Sequence, residues 1–506
     1  MNFEHPPMDY AALSPLIALM VTTALVMITG TLPGKAIRWS ASAVSLVGLT
    51  VTMGLLVWKG GEQSDLVLGT LRLDGLATGI SMLAVASGMV AVLFSWREPA
   101  AITAGRGEYL TMLVGSVLGM VMLAQAQNLI TFFIALEILS IPLYTLCAAS
   151  VRRQHSLESG LKYLIIGSLG SATLLYGLAL IYGASGSTDF REIADALGEQ
   201  GLLGDPLALL GVGLIATGMA FKVSLAPFHQ WTPDVYEGAP TPVTAFMAVA
   251  TKAAGFAVFI RMFDVALGPL QPDWGDALGV VAVISMLVGN VGALTQHSVK
   301  RILAYSGVAQ SGYMLVGVIV ATAAGVEALV YYLAVYTVMN LAAFAVVIVR
   351  ERETDLGDDI RALSGLGRIR PGMAAVMTIA MLGLAGLPGT AGFTGKLFLF
   401  NASVGGDYTW LGVAIAIGTM ISLGYYLRII AAMWMEGEVA PAVRRDDGRE
   451  IPAMAGGAPE ADEPRRQLEV TVPAIVAAVL TVFFGIVVSP LADWAAKAGE
   501  GLKPFL

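Results

Sequence analysis

Four ionisable side chains stand where an apolar chain has least reason to put them. Glu137 lies in TFFIALEILSIPLY, Lys222 in IATGMAFKVSLAPFHQW, Lys252 in AFMAVATKAAGFAVF and Lys396 in LAGLPGTAGFTGKLFLF. In a membrane-spanning helix each such charge costs about 2.5–3.5 kcal/mol to insert, so it tends to face a polar interior and serve an ion path. Three lysines against one carboxylate do not balance as static pairs. A lysine can shed and regain a proton where an arginine stays a fixed charge. The chemistry these residues suit is therefore a proton relay rather than bond making. Lys162 and Arg428 also fall in apolar runs, but nearer their ends, and suit snorkelling or a static ion pair. His229, in SLAPFHQW, reads either as an exposed loop histidine or as a gating or relay group. Tyr305, in KRILAYSGVAQSGY, either extends a hydrogen-bonded chain or marks the membrane interface.

The elements that carry two of the lysines are expected to be broken. Lys222 is followed by Pro227, which removes a backbone donor and clashes with the preceding turn. Lys396 closes a run with glycine at every third position (Gly383, Gly386, Gly389, Gly392, Gly395), interrupted by Pro388. Discontinuous spans in corresponding halves of a chain point to an ion site.

Composition fixes the setting. The chain has 506 residues, 56% hydrophobic and only 13% charged, where a soluble chain would carry roughly a quarter charged. Its single cysteine, Cys147, excludes an internal disulfide, a cysteine-ligated iron–sulfur cluster and a structural zinc site. The four histidines, His5, His155, His229 and His297, fall at or near loops, which argues against a buried bis-histidine haem. A net charge of −8 and the lack of a basic arm argue against nucleic acid. Residues 1–9 lack the positive start of a signal peptide, so the first apolar run reads as a retained anchor. GVGLIATG (211–218) sits inside an apolar run with no preceding strand or acidic partner, and the many methionines read as packing.

A spanning helix needs roughly 20 mostly apolar residues. The segments that qualify lie near 10–31, 37–58, 74–96, 107–126, 128–150, 157–183, 206–228, 240–263, 276–294, 300–322, 327–349, 372–402, 409–435 and 469–490. The fold expected is all-α and polytopic, with about fourteen spans, of which the seventh and twelfth are discontinuous. Spans 4–8 and 9–13 form two five-helix units, each with a lysine on its fourth helix; five being odd, the units are inverted. The chain divides into an N-terminal three-helix segment (1–106), the first unit (107–263), the second (264–435), a connector (436–467) and a last span with its tail (468–506). With the N-terminus outside, connections on the cytoplasmic face hold 18 of the 29 Lys and Arg and the opposite face six. That bias puts both termini on the non-cytoplasmic side. Residues 350–371 alternate charge and apolar positions and suit a short helix on the membrane surface. Residues 436–467 read as a flexible connector.

From about residue 75 to 435 the chain resembles the antiporter-like subunits of respiratory NADH:quinone oxidoreductase (complex I). The resemblance is carried by the Glu137 helix, KVSLAPFHQWTPDVYEGAPTPVTAF (222–246), VKRILAYSGVAQSGY (299–313) and LAGLPGTAGFTGK (384–396). Among three sister types it is most similar to the N type, through SLESGLKYLIIGSLGSA (156–172) and lysines at 252 and 396. The M type typically has a glutamate at the latter position, and the long lateral helix of the L type is not expected after the last span. The resemblance implies that Glu137 pairs with Lys222 and tunes it, that Lys252 is the central relay and that Lys396 passes the proton outward, with waters between them. It implies a subunit of a proton-translocating translocase in the bacterial cytoplasmic (inner) membrane, with no redox site of its own. FMN, iron–sulfur clusters and quinone would belong to partner subunits, and the partners would be a sister antiporter-like subunit, small membrane subunits and, indirectly, the peripheral arm. The alternative is a subunit of a multisubunit cation/proton antiporter. A stand-alone transporter would need a polar or aromatic cavity at the midplane that the sequence does not offer, and a pure scaffold would not need four deep charges.

Overall fold

The computed structural model describes residues 9–32, 39–199, 204–354, 356–435 and 467–502. His5, Lys35, Arg38, Lys503 and all but the last residue of the 436–467 connector lie outside them. With no water in a bilayer, each segment must satisfy its own backbone, and the described chain is accordingly a bundle of helices. In order these are α1 (Ser14–Thr31), α2 (Ser40–Trp58), α3 (Gly75–Phe94), the short α4 (Pro99–Thr103), α5 (Arg106–Gln125), α6 (Leu129–Cys147) and α7 (Gln154–Ser185). Then come α8 (Phe190–Glu199), α9 (Pro206–Lys222), α10 (Trp231–Gly238), α11 (Thr241–Phe246), α12 (Lys252–Ile260), α13 (Gln271–Leu294) and α14 (Val299–Ile319). The last are α15 (Ala323–Glu351), the single turn α16 (Leu366–Ile369), α17 (Pro371–Ala385), α18 (Ala391–Gly405), α19 (Thr409–Met435), α20 (Leu468–Ile486) and α21 (Ser489–Leu502).

Among the described residues, twelve helical segments are long and apolar enough to cross a membrane, and the shorter apolar helices α9 and α17 stand at the expected seventh and twelfth spans. The segment Thr241–Ala266 and helices α14 and α15 are buried almost all round, whereas α1, α2, α7, α19 and α20 bury one face and turn apolar side chains outward. The central elements are thus the ones that hold Lys252 and its acceptors, away from lipid.

Both expected breaks are present and have the same local form. At the end of α9, Ser224 takes a left-handed conformation (φ 63°), and the Leu225 N–H reaches back to Ala220 O while the Ser224 N–H reaches Phe221 O. At the end of α17, Gly386 (φ 75°) does the same, with Leu387 N–H on Leu382 O and Gly386 N–H on Gly383 O. These are Schellman caps, in which the last carbonyls of a helix are left for other donors. A third irregularity was not expected: a π-helical stretch, Met247–Thr251, leads directly into Lys252.

Several connections differ from expectation. The loop between α2 and α3 contains an antiparallel hairpin, β1 (Ser64–Leu66) with β2 (Leu71–Leu73), whose alternating apolar residues Leu66, Leu71 and Leu73 are buried. Residues 350–371 do not form one surface helix. Gly357 and Gly365 take positive φ and split the stretch into a 3-10 turn (Ile360–Leu363) and α16, with Leu363 and Leu366 turned into the bundle. The short amphipathic helices α8 and α21 bury Phe190, Ile193 and Leu197, and Ala495, Ala498 and Leu502.

Candidate functional site

Lys222 is the last residue of α9 and is buried. Its Nζ donates to the Ser140 hydroxyl at 2.7 Å, and Ser140 in turn donates to Leu136 O one turn back on α6. Glu137 lies on the same helix, three residues before Ser140, and is half-buried. Its carboxylate accepts from Ser171 of α7 at 2.6 Å. Lys222 and Glu137 therefore each take a serine hydroxyl as partner rather than forming a direct ion pair.

Lys252 opens α12 in the middle of the most buried segment and is 1% exposed. Its ammonium donates to Gly307 O and to the Ser311 hydroxyl, both at 2.6 Å, and to Val223 O at 3.4 Å. Val223 O also accepts from Ser311 at 2.6 Å. Val223 has this carbonyl to offer because the residue four positions on is Pro227, which has no N–H to complete a helical bond. The residue next to Lys222 thus touches Lys252 through its backbone.

The same device recurs at Lys396. Its ammonium donates to Leu384 O at 3.0 Å and Ala385 O at 3.4 Å, the free carbonyls that end α17. Leu384 stands four residues before Pro388. The negative end of a helix dipole suits a cation, and the ammonium also lies 5.0 Å from the centre of the Tyr313 ring. About their breaks, however, the two lysines are placed differently. Lys222 precedes the break of its span, while Lys396 lies beyond it, on α18, and reaches back.

Helix α14 joins the central lysine to the last. Gly307 and Ser311 hold Lys252, while Gln310 donates to Leu384 O at 3.2 Å and accepts from the Tyr332 hydroxyl. Ser306 and Gln310 both engage the Tyr426 hydroxyl. The Tyr336 hydroxyl is buried beside Lys252 with no hydrogen-bond partner among the described residues. These groups are uncharged, and polar residues on one apolar helix, as in SGVAQS, were the only signal that could have found them.

The other candidates fall outside this string. His229 is partly exposed in the segment after the α9 break, with its ring edge-on to Tyr305 at 6.2 Å. Tyr305 packs against Gly292 rather than entering the Tyr332–Gln310–Tyr426 chain. Lys162 is a static-pair residue: its ammonium lies 2.8 Å from both Glu158 and Asp234, and its side chain is 40% exposed. Arg428 donates to Leu294 O and Gln296 O near the start of α14. Arg261, counted from sequence as a charge on the outer face, is fully buried. It is bidentate to Asp74 at 2.8 and 2.9 Å and donates to Ala124 O at 2.7 Å.

Residues 126–422, most of the chain, match the family model described as NADH:quinone oxidoreductase/Mrp antiporter, TM. A relative from Desulforamulus reducens named NADH-quinone oxidoreductase subunit N is 36% identical over 97% of this chain and 98% of its own length. Another of that name from Trichlorobacter lovleyi is 38% identical over 83% of this chain and 86% of its own. Among solved structures, a chain of respiratory complex I from Thermus thermophilus superposes with a TM-score of 0.78 at 32% identity, covering 96% of this chain and all of its own. A chain of the Mrp complex from Dietzia sp. superposes with a TM-score of 0.79 at 23% identity over 98% of both, a likeness of fold.

Proposed function

This chain belongs to the NADH:quinone oxidoreductase/Mrp antiporter transmembrane family, and from that premise we propose that it is the N-type membrane-arm subunit of a complex I, translocating protons. Oxidation of NADH and reduction of quinone take place in partner subunits that hold FMN and iron–sulfur clusters; what this chain supplies is a path for protons. The chain sits in the bacterial inner membrane with both termini on the non-cytoplasmic side, a reading supported by the threefold excess of Lys and Arg on the opposite face. Residues 107–263 and 264–435 act as two inverted units, supported by the matching caps that end α9 and α17.

The observation that carries the relay is the sharing of acceptors. Val223 O, on the residue after Lys222, accepts from both Lys252 and Ser311, and Leu384 O accepts from both Lys396 and Gln310 of the helix that holds Lys252. Each lysine is held by acceptors only, so its ammonium is stabilised without a permanent carboxylate partner. A proton leaving one lysine crosses to the next through water and through the hydroxyls of α14. Glu137 biases the first lysine: drawn close, it favours the ammonium; turned away to Ser171, it releases it. Lys396 delivers the proton to the outer side. His229 and Tyr305, at the mouth of the α9 break, serve entry.

The test is Lys222→Met in membrane vesicles, with assembly of the complex confirmed first. Loss of NADH-driven pumping together with coupled quinone reduction is expected. Native pumping would remove the relay from this chain. The antiporter reading is favoured by no separate observation beyond the shared fold, and the company the chain purifies with decides it.

A further inference from the structure

Glu137 and Ser140 lie one turn apart on the same face of α6, where side chains three residues apart are neighbours. The Ser140 hydroxyl spends its only proton on Leu136 O, so toward Lys222 it can only accept. On α7, Ser171 makes the matching contact to Glu137. Ser140, Ser171, Tyr144 and Lys222, with Gly170 and Gly218, line one gap between α6, α7 and α9.

We propose that Ser140 and Ser171 are positioning residues that latch the Lys222–Glu137 pair open, Ser140 by accepting from the ammonium and Ser171 by holding the carboxylate toward α7. Closure is an exchange of partners: Lys222 trades the Ser140 oxygen for the Glu137 carboxylate a turn away, a swing its four-carbon stem permits, and Glu137 gives up Ser171. No proton need move and no bond need form for the pair to close. Gly170 and Gly218 let α7 and α9 pack closely: a Cβ at Gly170 would meet the Phe221 ring and one at Gly218 would meet Leu174. Of the titratable groups around Lys222, Tyr144 lines the same gap, Lys252 bonds the carbonyl of the next residue, and Glu137, a turn from Ser140, is the negative charge that acts on the ammonium. The proposal rests on the relay reading above and specifies how its first pair is regulated.

Ser140→Ala removes the acceptor and tips the pair toward closure. A hydrogen bond to a charged group is worth roughly a tenfold or larger change in such an equilibrium. The measurement is the pH profile of NADH-driven pumping and coupled turnover in vesicles carrying the assembled complex. Ser140→Ala is expected to lower the coupled rate several-fold and to displace the profile, and Ser140→Thr, which keeps the hydroxyl, to restore both. Ser171→Ala, on the more exposed helix, should displace the profile in the same direction, and it decides the matter if the Ser140→Ala complex does not assemble. A native profile in these alanine variants, or a rate loss with an unmoved profile that Thr does not rescue, overturns the latch. Lys222→Met separates the two readings. If it keeps native pumping, the relay itself falls; if it abolishes pumping while the serine variants behave as wild type, only the latch does.

Discussion

Lys396 and Gln310 donate to the same oxygen: the Leu384 carbonyl lies 3.0 Å from the lysine ammonium and 3.2 Å from the glutamine amide. Gln310 is fully buried on α14, the helix whose Gly307 and Ser311 hold Lys252, so this carbonyl links the helix of the central lysine to the last lysine.

Gln310→Leu fills the same space but takes from Leu384 O one of its two donors, leaves the Tyr332 hydroxyl without its acceptor and leaves the Tyr426 hydroxyl with Ser306. A buried group left unsatisfied costs about 1–3 kcal/mol. The expected result is a complex that assembles and pumps about tenfold more slowly. Pumping at the native rate would mean that the Lys252–Lys396 link does not run through this amide.

Gly307→Ala tests the pocket of Lys252 from the other side. A methyl carbon at Gly307 would stand 3.2 Å from the Tyr336 hydroxyl and 3.3 Å from the Lys252 ammonium, tighter than ordinary contact. The ammonium must withdraw from Gly307 O, its closest backbone acceptor. Coupled turnover is expected to fall several-fold with the helices intact by circular dichroism. Gly255→Ala, which would meet Val223 rather than the ammonium, serves as the steric comparison.

Lys252→Arg distinguishes a need for charge from a need for proton exchange. The guanidinium keeps the cation and can reach Gly307 O and Ser311, yet it stays protonated. If Lys252 is a carrier, Arg should be as inactive in pumping as Met, a loss of at least tenfold. If Arg retains more than half the native rate, the residue is a fixed electrostatic element.

The parts of this site that were legible in sequence are the expensive ones. Glu137, Lys222, Lys252 and Lys396 stand out because a charge in an apolar run must be explained, and Pro227 and Pro388 mark the breaks because they deny the backbone a donor. What surrounds those residues was not legible. The acceptors at Val223, Gly307 and Leu384 are carbonyls, which every residue possesses. Ser140, Ser171 and Ser311 are hydroxyls that any spanning helix tolerates by bonding to its own backbone. The serine contacts of Glu137 and Lys222 were not legible either, since they depend on side-chain rotamers rather than residue types. The hairpin at 64–73 and the split of 350–371 were hidden for a related reason: alternation over a few residues fits a strand or a surface helix equally until the glycines are placed.

Arg261 and Asp74 show the largest gap between the two levels. Arg261 closes an apolar run and reads as one of the six charges on the non-cytoplasmic face, while its partner lies 187 residues earlier, so nothing local connects them. In the structure both are fully buried; Asp74 also caps α3 through the Ala77 N–H, and Arg72 lies 3.5 Å away. The pair ties the start of α3 to the π-helical end of the Lys252 segment and, through Ala124 O, to the end of α5. Removing one member strands the other charge, which costs about 3–5 kcal/mol, whereas removing both with apolar replacements is often neutral. Asp74→Leu and Arg261→Leu should each lower the yield of assembled complex and its thermal midpoint sharply, and the double variant should recover much of both. The pumping rate per assembled complex should stay near native in the double variant, since neither residue touches the lysine string. A double variant no better than the worse single would mean that Arg261 is needed for its bond to Ala124 O rather than for its charge partner.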